Sequence, residues 1–403
     1  MSMHYFKLGF LFFCFFCDSL YSQITPCHYS VAHFSKEHNL LSDTSYQNLL
    51  EIPIIGFDLN INSDPGLHSF FTKNQNTIII DFTNYVNSFD KNSRHFLDFK
   101  NTVLYYAFKS QDRIYSFGID HRLFTEFSFS RELTSLFVNG NYQYLNQNTI
   151  LDRNNYVNVL NYFSIYFGYS STIQEKFYLS SKIKFIKGVN SFNLDVEGTQ
   201  LVLRDNFNTQ QNPFDLELTS NFSYSINQDY KIFSNLGLAV DVYLGYNLTD
   251  RISLYSNVND FGLILWNTSS NQSQANFYFD GIDYSLDQVL STEFDNLQDT
   301  LLDIFSTDSF ASNELRLTPF SMNLGLTYDL LNQNYININF NIQKLYNALF
   351  YTGEIAYLKY FEKYKFSIIP SYSFNRYNFA NLSIFVIKKW YDKFYTNLYV
   401  NNI

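Results

Sequence analysis

The sequence predicts an all-β fold, a transmembrane antiparallel β-barrel with one amphipathic helix inserted between two strands. Three observations predict it: the chain opens with an export signal, many later segments alternate apolar and polar residues, and the composition does not suit membrane helices. The mean hydropathy is −0.18, with 20% aromatic and 16% charged residues, against about 25% charged residues in an average soluble domain. A bundle of apolar spanning helices would be far less polar than this.

Residues 1–22 have the pattern of a cleaved signal peptide. His4 and Lys7 precede the apolar run 8–16, and Ser22 stands at the −1 position of a cleavage site. The run is too short to span a bilayer comfortably. An uncleaved anchor and a buried strand are the alternative interpretations.

Residues 23–403 are therefore expected to form one exported barrel domain in the outer membrane. Cleavage leaves Cys27 as the last cysteine, so no intramolecular disulfide is expected. The formal net charge is −10 and no stripe of Lys or Arg offsets it, which excludes a nucleic acid as the main partner. The expected partners are outer-membrane lipid, the barrel assembly machinery and a small-molecule cargo, with any protein partner left unknown.

The strand prediction rests on alternation with a period of two, which places apolar and polar residues on opposite faces of a strand. It is clearest from Ser321, where every second residue from Met322 to Leu330 is apolar, and from Tyr335, where Ile336 to Ile342 alternate with asparagines. The same alternation occurs at 238–247 and 177–185, and weaker candidates begin near Val103, Ile114, Phe163, Leu216, Ile252, Leu349, Phe366, Asn378 and Phe394.

A soluble β-sandwich would also alternate, so the length of the segments decides between the two folds. Most are about nine to eleven residues long, which suits a tilted strand crossing a bilayer, whereas sandwich strands run about five to six. Open strand edges cannot exist in lipid, so the strands must close into a barrel with apolar residues facing outward. The many aromatic residues near strand ends suit the girdles of such a barrel, although core packing explains any one of them equally well.

Two segments depart from the strand pattern. From Leu286 to Phe305 apolar residues recur at the three-and-four spacing of one helix face, with acidic residues around the rest. We expect an acidic amphipathic helix packed at one barrel mouth; gating or partner docking is the alternative role. Residues 23–96 have weaker periodicity, and we expect a first strand at Ile55–Ile61 with the remainder partly inside the lumen.

The sequence contains no pattern that predicts catalytic, cofactor-binding or metal-binding residues. His28, His33 and His38 are five positions apart, which suits neither one helix face nor one strand face. His121 lies near Ser116 and Ser128 in sequence, but motifs of the G-x-S-x-G, Walker A and G-x-G-x-x-G types are missing. The chain is therefore not predicted to be an enzyme.

Two luminal lysines are the remaining candidates for a ligand. Lys182 and Lys184 could hold an anion, or they could pair with the many carboxylates of the chain.

One stretch resembles a known family. The run Leu254–Trp266, with Asp260, Gly262 and Trp266, resembles the signature of a family of Bacteroidetes outer-membrane barrels whose function is unknown. The resemblance continues in Phe137–Gly140, Lys184, Phe185, Gly188, Phe279, Gly281–Asp283 and Leu317–Pro319. The family's early N-P-A motif is missing near Asn39, and the terminal aromatic residue that barrel assembly often reads is replaced by Asn401–Ile403.

The resemblance implies a barrel of about 14 strands, similar to the long-chain fatty acid transporter type, with an inward N-terminal segment. Asp260 and Gly262 suit a tight turn and Trp266 suits an interface girdle, so the signature is interpreted as structural. The function expected first is a passive channel or transporter for small molecules, hydrophobic ones included. The alternative is a non-transporting barrel that docks a component of a surface or secretion complex.

Overall fold

The structure is a computed structural model. It describes residues 48–401 apart from 52–57, 65–68, 70, 75–76, 89–90, 140–147, 151–154, 175, 206–213, 227–233, 280–309, 332–333, 376–380 and 392–393. The predicted signal peptide (1–22), the predicted helix Leu286–Phe305 and all other residues before Asn48 lie outside the described residues. Of the predicted strand Ile55–Ile61, the described part begins at Asp58.

The described residues form nineteen strands and two α-helices. The strands are β1 (Asn48–Glu51), β2 (Asp58–Asp64), β3 (Phe71–Asn74), β4 (Thr77–Ile80), β5 (Asn92–Ser110), β6 (Arg113–Ser130), β7 (Asn148–Ile150), β8 (Asn155–Ile173), β9 (Phe177–Asp205), β10 (Phe214–Ile226), β11 (Leu236–Asn247), β12 (Ile252–Phe279), β13 (Phe310–Leu317), β14 (Phe320–Leu331), β15 (Asn334–Lys344), β16 (Leu349–Phe361), β17 (Phe366–Asn375), β18 (Asn381–Tyr391) and β19 (Phe394–Asn401). The helices are α1 (Phe82–Asn87) and α2 (Arg131–Asn139), and a 3₁₀ turn spans Glu362–Tyr364. Within this part of the chain no helix is long and apolar enough to cross a membrane.

In several places two strands lie end to end and together occupy one strand position of the sheet. β1 and β2 lie end to end along β5, and β7 continues β8 along β9. β10 and β11 share the place between β9 and β12, and β13 and β14 share the far side of β12. Counted this way, the described strands occupy thirteen consecutive antiparallel positions, from β1 and β2 to β19, with β3 and β4 as a separate hairpin.

The all-β prediction is confirmed, and thirteen positions compare with the about fourteen expected. Each predicted strand segment lies in an observed strand, the one near Asn378 being described from Asn381. Among the described residues, no pairing joins β19 to β1 or β2, so the two ends of the sheet are not connected there.

The sheet has the inside-out polarity expected of a barrel in lipid. On β14 the side chain of Leu324 is 63% exposed whereas its neighbour Asn323 is 3% exposed, and β15 repeats the contrast with Phe340 and Asn341. In a water-soluble fold the apolar residue of such a pair would be the buried one. β8, β9, β11 and β12 likewise expose many large apolar side chains, which are Phe, Ile, Leu, Val and Tyr.

The two ends of the strands are connected differently. At one end of the sheet the connections are two to four residues long. They join β5 to β6, β8 to β9, β11 to β12, β14 to β15, β16 to β17 and β18 to β19. The opposite end carries the longer connections, including β3, β4 and α1 after β2, and α2 after β6. Transmembrane barrels have short periplasmic turns and longer extracellular loops, so this asymmetry has the form expected of one.

α1 and α2 pack together on the outer face of the sheet at the long-loop end. Tyr85 and Val86 of α1 are buried with Val138 of α2 against them. The Tyr85 hydroxyl contacts Nε2 of His95, whose ring stacks on Phe127 at 4.7 Å between centroids. The helices α1 and α2 therefore lie against the outside of β5 and β6.

Candidate functional site: an ion-pair cluster in the barrel interior

Seven charged side chains meet on the inner face of the sheet. They are Asp98 and Lys100 of β5, Asp120 and Arg122 of β6, Lys184 of β9, Asp241 of β11 and Asp260 of β12, and we call them the ion-pair cluster. Each side chain is between 2% and 16% exposed. Buried charges are stable only when they are paired and hydrogen-bonded, and the cluster provides this pairing with four carboxylates and three cations.

Asp260 is the hub of the cluster. Its Oδ2 lies 3.1 Å from Nη1 of Arg122 and 3.4 Å from Nζ of Lys100, and Lys184 contacts its Oδ1. Lys184 also lies 2.7 Å from Oδ2 of Asp241. Three cations from three different strands therefore converge on one carboxylate.

A β-bulge turns Asp260 inward. The register between β11 and β12 shifts between Val240 and Val242, leaving one extra residue on β12 opposite Asp241. Asp260 has φ of 59°, a left-handed conformation that Asp tolerates better than most residues. Its N–H donates to Oδ1 of Asp241 at 2.7 Å, and the Thr318 hydroxyl donates to its carbonyl. The backbone around the hub is thus fixed by side chains from β11 and from the break between β13 and β14.

Arg122 connects the hub to the opposite part of the sheet. Its Nε and Nη2 donate to the two carboxylate oxygens of Asp98 at 2.7 and 2.6 Å, a bidentate pair of the strongest type. Its Nη1 also donates to the carbonyl of Pro319 at 2.8 Å. Gln343 of β15 donates to Asp98 at 3.4 Å across 245 residues of sequence. The contacts of Arg122 with Asp260 and of Gln343 with Asp98 join strands that are not neighbours in the sheet, so the cluster spans the interior.

An apolar core closes the interior next to the cluster, toward the long-loop end. Trp266 is fully buried, and its ring packs against Gly188. A Cβ at position 188 would lie only 2.6 Å from the ring carbons of Trp266, so a larger residue would not fit there. Phe96 of β5 meets Phe350 of β16 at 4.8 Å between ring centroids. The remaining members are Phe124, Leu160, Tyr162, Ile186, Ala239, Ile264, Leu345 and Ala348. Between the cluster and this core, the described interior is filled rather than open.

A second inward-facing region is uncharged. Asn339, Asn341 and Gln343 follow one another on the inner face of β15, each 1–3% exposed, and we call them the amide row. Asn341 donates to Asn323 at 2.5 Å, and Asn323 donates to Asn257 at 2.6 Å. Within the described protein, Oδ1 of Asn341, Oε1 of Gln343 and both side-chain polar atoms of Asn339 have no hydrogen-bond partner. The row therefore carries unmet hydrogen-bonding capacity at buried positions.

The three residues of the sequence signature are brought together, but not in the roles expected from sequence. Asp260 and Gly262 lie within the continuous strand β12 and not in a tight turn between strands. Gly262 allows close approach, because a Cβ there would stand 2.2 Å from the Leu238 carbonyl. Trp266 faces the interior, not an interface girdle, since the bulge reverses which residues of β12 point inward.

The other residues considered in the sequence are placed as follows. Lys184 pairs with carboxylates, the second of the two expectations for it, and Lys182 lies 5.4 Å from the Tyr166 ring centroid. His121 hydrogen-bonds to Asn161 at 2.8 Å and lies on the outer face of β6, whereas Ser116 and Ser128 are on its inner face. That arrangement excludes the two serine–histidine pairs. In the described part of the chain, no group of three or more His, Cys, Asp or Glu side chains could hold a metal ion.

Sequence reasoning missed most of the cluster. Asp98, Lys100 and Arg122 sit at polar positions of alternating strands, which look like any residue facing a wet lumen. The one available signal was the number of charged residues on inner faces, since a buried charge requires a partner. That signal indicates that pairs exist without indicating which residues form them.

Comparison with solved structures gives outer-membrane barrels with low sequence identity. A "TodX deltaS2S3 mutant monoaromatic hydrocarbon channel" aligns with 90% of this chain and 86% of its own at 10% identity and a TM-score of 0.45. The Pseudomonas putida toluene transporter TodX covers 77% of this chain and 78% of its own at 9% identity and 0.38. The translocator domain of the autotransporter NalP from Neisseria meningitidis covers 86% and 91% at 7% identity and 0.36.

No curated protein matches the sequence. The model of one family does match, over residues 42–387, and the family is described as a family of unknown function (DUF5723). The match contains the whole ion-pair cluster and the Asp260–Trp266 signature, which confirms the resemblance to a family of unknown function. The chain therefore belongs to the DUF5723 family.

Proposed function

We propose that this protein is an outer-membrane β-barrel that passes small molecules across the outer membrane, and that the arrangement described above is its closed state. The observation that carries the membrane assignment is the inside-out polarity of the sheet. Large apolar side chains such as Leu324 and Phe167 are 63% and 57% exposed, while the inner face carries Ser, Asn, Tyr and paired charges beside the apolar core around Trp266. Lipid removes the cost of exposing those apolar side chains to water.

Transport is supported by the chemistry of the inner face. The amide row and Ser373 present buried polar atoms without a partner in the described structure. An unmet buried hydrogen-bonding group costs about 1–3 kcal/mol, and water or a permeating molecule would satisfy it. The sequence predicts more specifically a hydrophobic cargo. Because the inner face is polar, that prediction is tested by comparing the permeability for a hydrophobic molecule with that for small polar solutes.

Passage would require the ion-pair cluster to loosen, because the cluster and the core around Trp266 fill the interior. The test is purification from outer-membrane fractions followed by liposome swelling with small sugars and uptake of a small aromatic hydrocarbon. We expect faster gel migration before boiling than after it, low permeability of the wild-type barrel, and higher permeability of Asp260→Asn.

Asp250→Asn is the matched control, because Asp250 lies exposed in the turn between β11 and β12. It should behave as the wild type in every assay. Identical mobility with and without boiling, together with recovery from the soluble periplasm, would overturn the barrel. A heat-modifiable Asp260→Asn barrel with unchanged permeability to both probes would overturn transport alone.

The closed interior favours a second candidate, a non-transporting barrel that docks another component of a surface or secretion complex. The acidic segment Leu286–Phe305, between β12 and β13, is the proposed contact. Deletion of this segment should abolish co-purification of that component while heat modifiability persists. Lost co-purification with unchanged permeability would favour docking over transport, whereas changed permeability would favour transport.

A further inference from the structure

An apolar groove lies on the lipid-facing surface of the described sheet. Its volume is about 630 Å³, and its wall consists of Phe185 and Ile186 of β9, Leu236, Gly237 and Leu238 of β11, Phe261, Gly262, Leu263 and Leu265 of β12, and Leu315 and Leu317 of β13. Every lining residue is Phe, Ile, Leu or Gly. A ligand in this groove would therefore need no polar group at all.

The floor of the groove lies beside the bulge that turns Asp260 inward. In the register of β11 and β12, Gly262 stands opposite the buried Ala239 and Gly237 opposite the buried Ile264. Each glycine alternates with exposed residues of its own strand, so both occupy inward-facing positions and present their main chain to the outer surface. The exposed side chains on either side stand above this main-chain floor and form the walls of the groove.

The position of the groove identifies its occupant. Eight of its nine large side chains are 41–61% exposed, the exception being the inward-facing Ile186, and the neighbouring surface on both sides, including Ile183 and Leu324, is also exposed and apolar. The groove is thus a continuous part of the surface that faces lipid in the barrel assignment. The molecules that reach it there are membrane lipids, whose chains are unbranched and flexible enough to follow a narrow depression.

Packing supplies the attraction. Inside a bilayer an apolar wall gains nothing from leaving water, because lipid tails are as apolar as leucine. An unfilled depression nevertheless forfeits the van der Waals contacts of its lining atoms, and a chain lying in it makes contacts on three sides. Such a chain should exchange more slowly than lipids on the convex parts of the barrel.

We propose that this groove is a lipid-binding site that holds one acyl chain of a membrane lipid as a slowly exchanging ligand. The proposal rests on the barrel part of the proposed function and is independent of transport. It assigns to the outer side of the Asp260–Gly262 bulge a role that complements the ion-pair cluster on its inner side.

The test compares two tryptophan reporters in bilayers. Phe185→Trp reports from the rim of the groove and Phe167→Trp from β8 outside it, and the two native side chains are 55% and 57% exposed. Each variant is reconstituted into phosphatidylcholine with brominated acyl chains and then diluted with excess unbrominated lipid. Emission from Trp266 and Trp390 is subtracted with the wild-type protein.

We expect both reporters to be quenched at first, and Phe185→Trp to retain at least threefold more quenching than Phe167→Trp after dilution. Adding Leu315→Phe, which fills the groove, should make the two reporters behave alike. Mass spectrometry of the wild-type protein after detergent exchange should show one co-purifying lipid, lost in Leu315→Phe.

If the fluorescence of the two reporters recovers equally after dilution in proteins that retain Leu315, the lipid site is overturned and the barrel assignment is unaffected. Absence of quenching at Phe185→Trp alone, with a doubled mass in detergent, would overturn it in favour of a second copy of the chain. Absence of quenching at both positions would overturn the barrel assignment as well.

Discussion

The ion-pair cluster and the amide row occupy neighbouring parts of the same inner face, but they differ in whether their buried polar atoms have partners. Every cation of the cluster has a carboxylate within 3.4 Å, and Asp260 serves three of them. The amide row leaves four polar atoms without a partner among the described residues. Gln343 belongs to the row and also donates to Asp98, so the two regions meet at one side chain.

The difference follows from what each group loses when it leaves water. An unpaired buried ion costs several kcal/mol, so a charged interior is stable only as a closed set of pairs. An unpaired amide costs about 1–3 kcal/mol, which a fold tolerates. The cluster therefore requires all of its pairs, whereas the amide row has polar atoms left for a further hydrogen-bonding partner, which the proposed transport function would supply as a solute or water.

The largest expected effect is the loss of the hub. Asp260→Asn removes one carboxylate from three buried cations, and breaking a buried ion pair costs about 3–5 kcal/mol. The free energy of unfolding from urea titrations in detergent should fall by this amount, and the temperature at which the folded gel band disappears should fall with it. Asp250→Asn should change neither value; an equal loss in both variants would contradict the role of the hub.

A smaller loss is expected where the amide row is connected to its neighbours. Asn323→Leu leaves Asn257 and Asn341 without the partner that lies 2.6 and 2.5 Å away, respectively. One buried group left unsatisfied costs about 1–3 kcal/mol, so the free energy of unfolding should fall within that range. No change in the urea midpoint would show that the amides exchange partners freely.

A near-zero effect is expected for Asn339 on the neighbouring strand β15. Asn339→Leu removes two atoms that have no partner in the described structure, and replacing an unsatisfied group by an apolar one is neutral or slightly stabilising, within about 1 kcal/mol. The comparison with Asn323→Leu in the same titration removes the common effect of adding a leucine. A loss above 2 kcal/mol would instead indicate a water or solute bound at Asn339.

Brominated lipids are expected to have no effect on the fluorescence of Trp266. In a Trp390→Phe background, brominated lipids should leave the fluorescence of Trp266 unquenched, because its side chain is fully buried. Strong quenching would place the indole at the lipid surface and contradict the inward orientation after the bulge. Phe167→Trp in the same background supplies the positive control.

Local pattern was sufficient for the strands and for the faces within each regular stretch. The alternation from Met322 to Leu330 predicts an apolar outer face, and the structure exposes Met322 and Leu324 while burying Asn323. Alternation is reliable because successive side chains of a strand point to opposite faces whatever surrounds them. The export signal and the acidic helix remain predictions, since both lie outside the described residues.

Alternation fails at irregularities, and these lie beside the candidate site. On β12 the buried residues are Tyr255 and Asn257 before the bulge, and Ile264 and Trp266 after it, so one extra residue exchanges the two faces. β5 changes in the same way near Val103. A continuous alternation through Leu254–Trp266 therefore places Trp266 outward, which is why the girdle interpretation was wrong.

The sequence by itself determined an all-β chain with apolar outer and polar inner strand faces, because those properties depend on neighbours two residues apart. Only the tertiary structure decided that Arg122 meets Asp260 across 138 residues, and that Gln343 meets Asp98 across 245. Which charges pair depends on strand order, on curvature and on a bulge one residue long. None of these is encoded in the period of the strands, so the closed interior emerges only when the sheet is assembled.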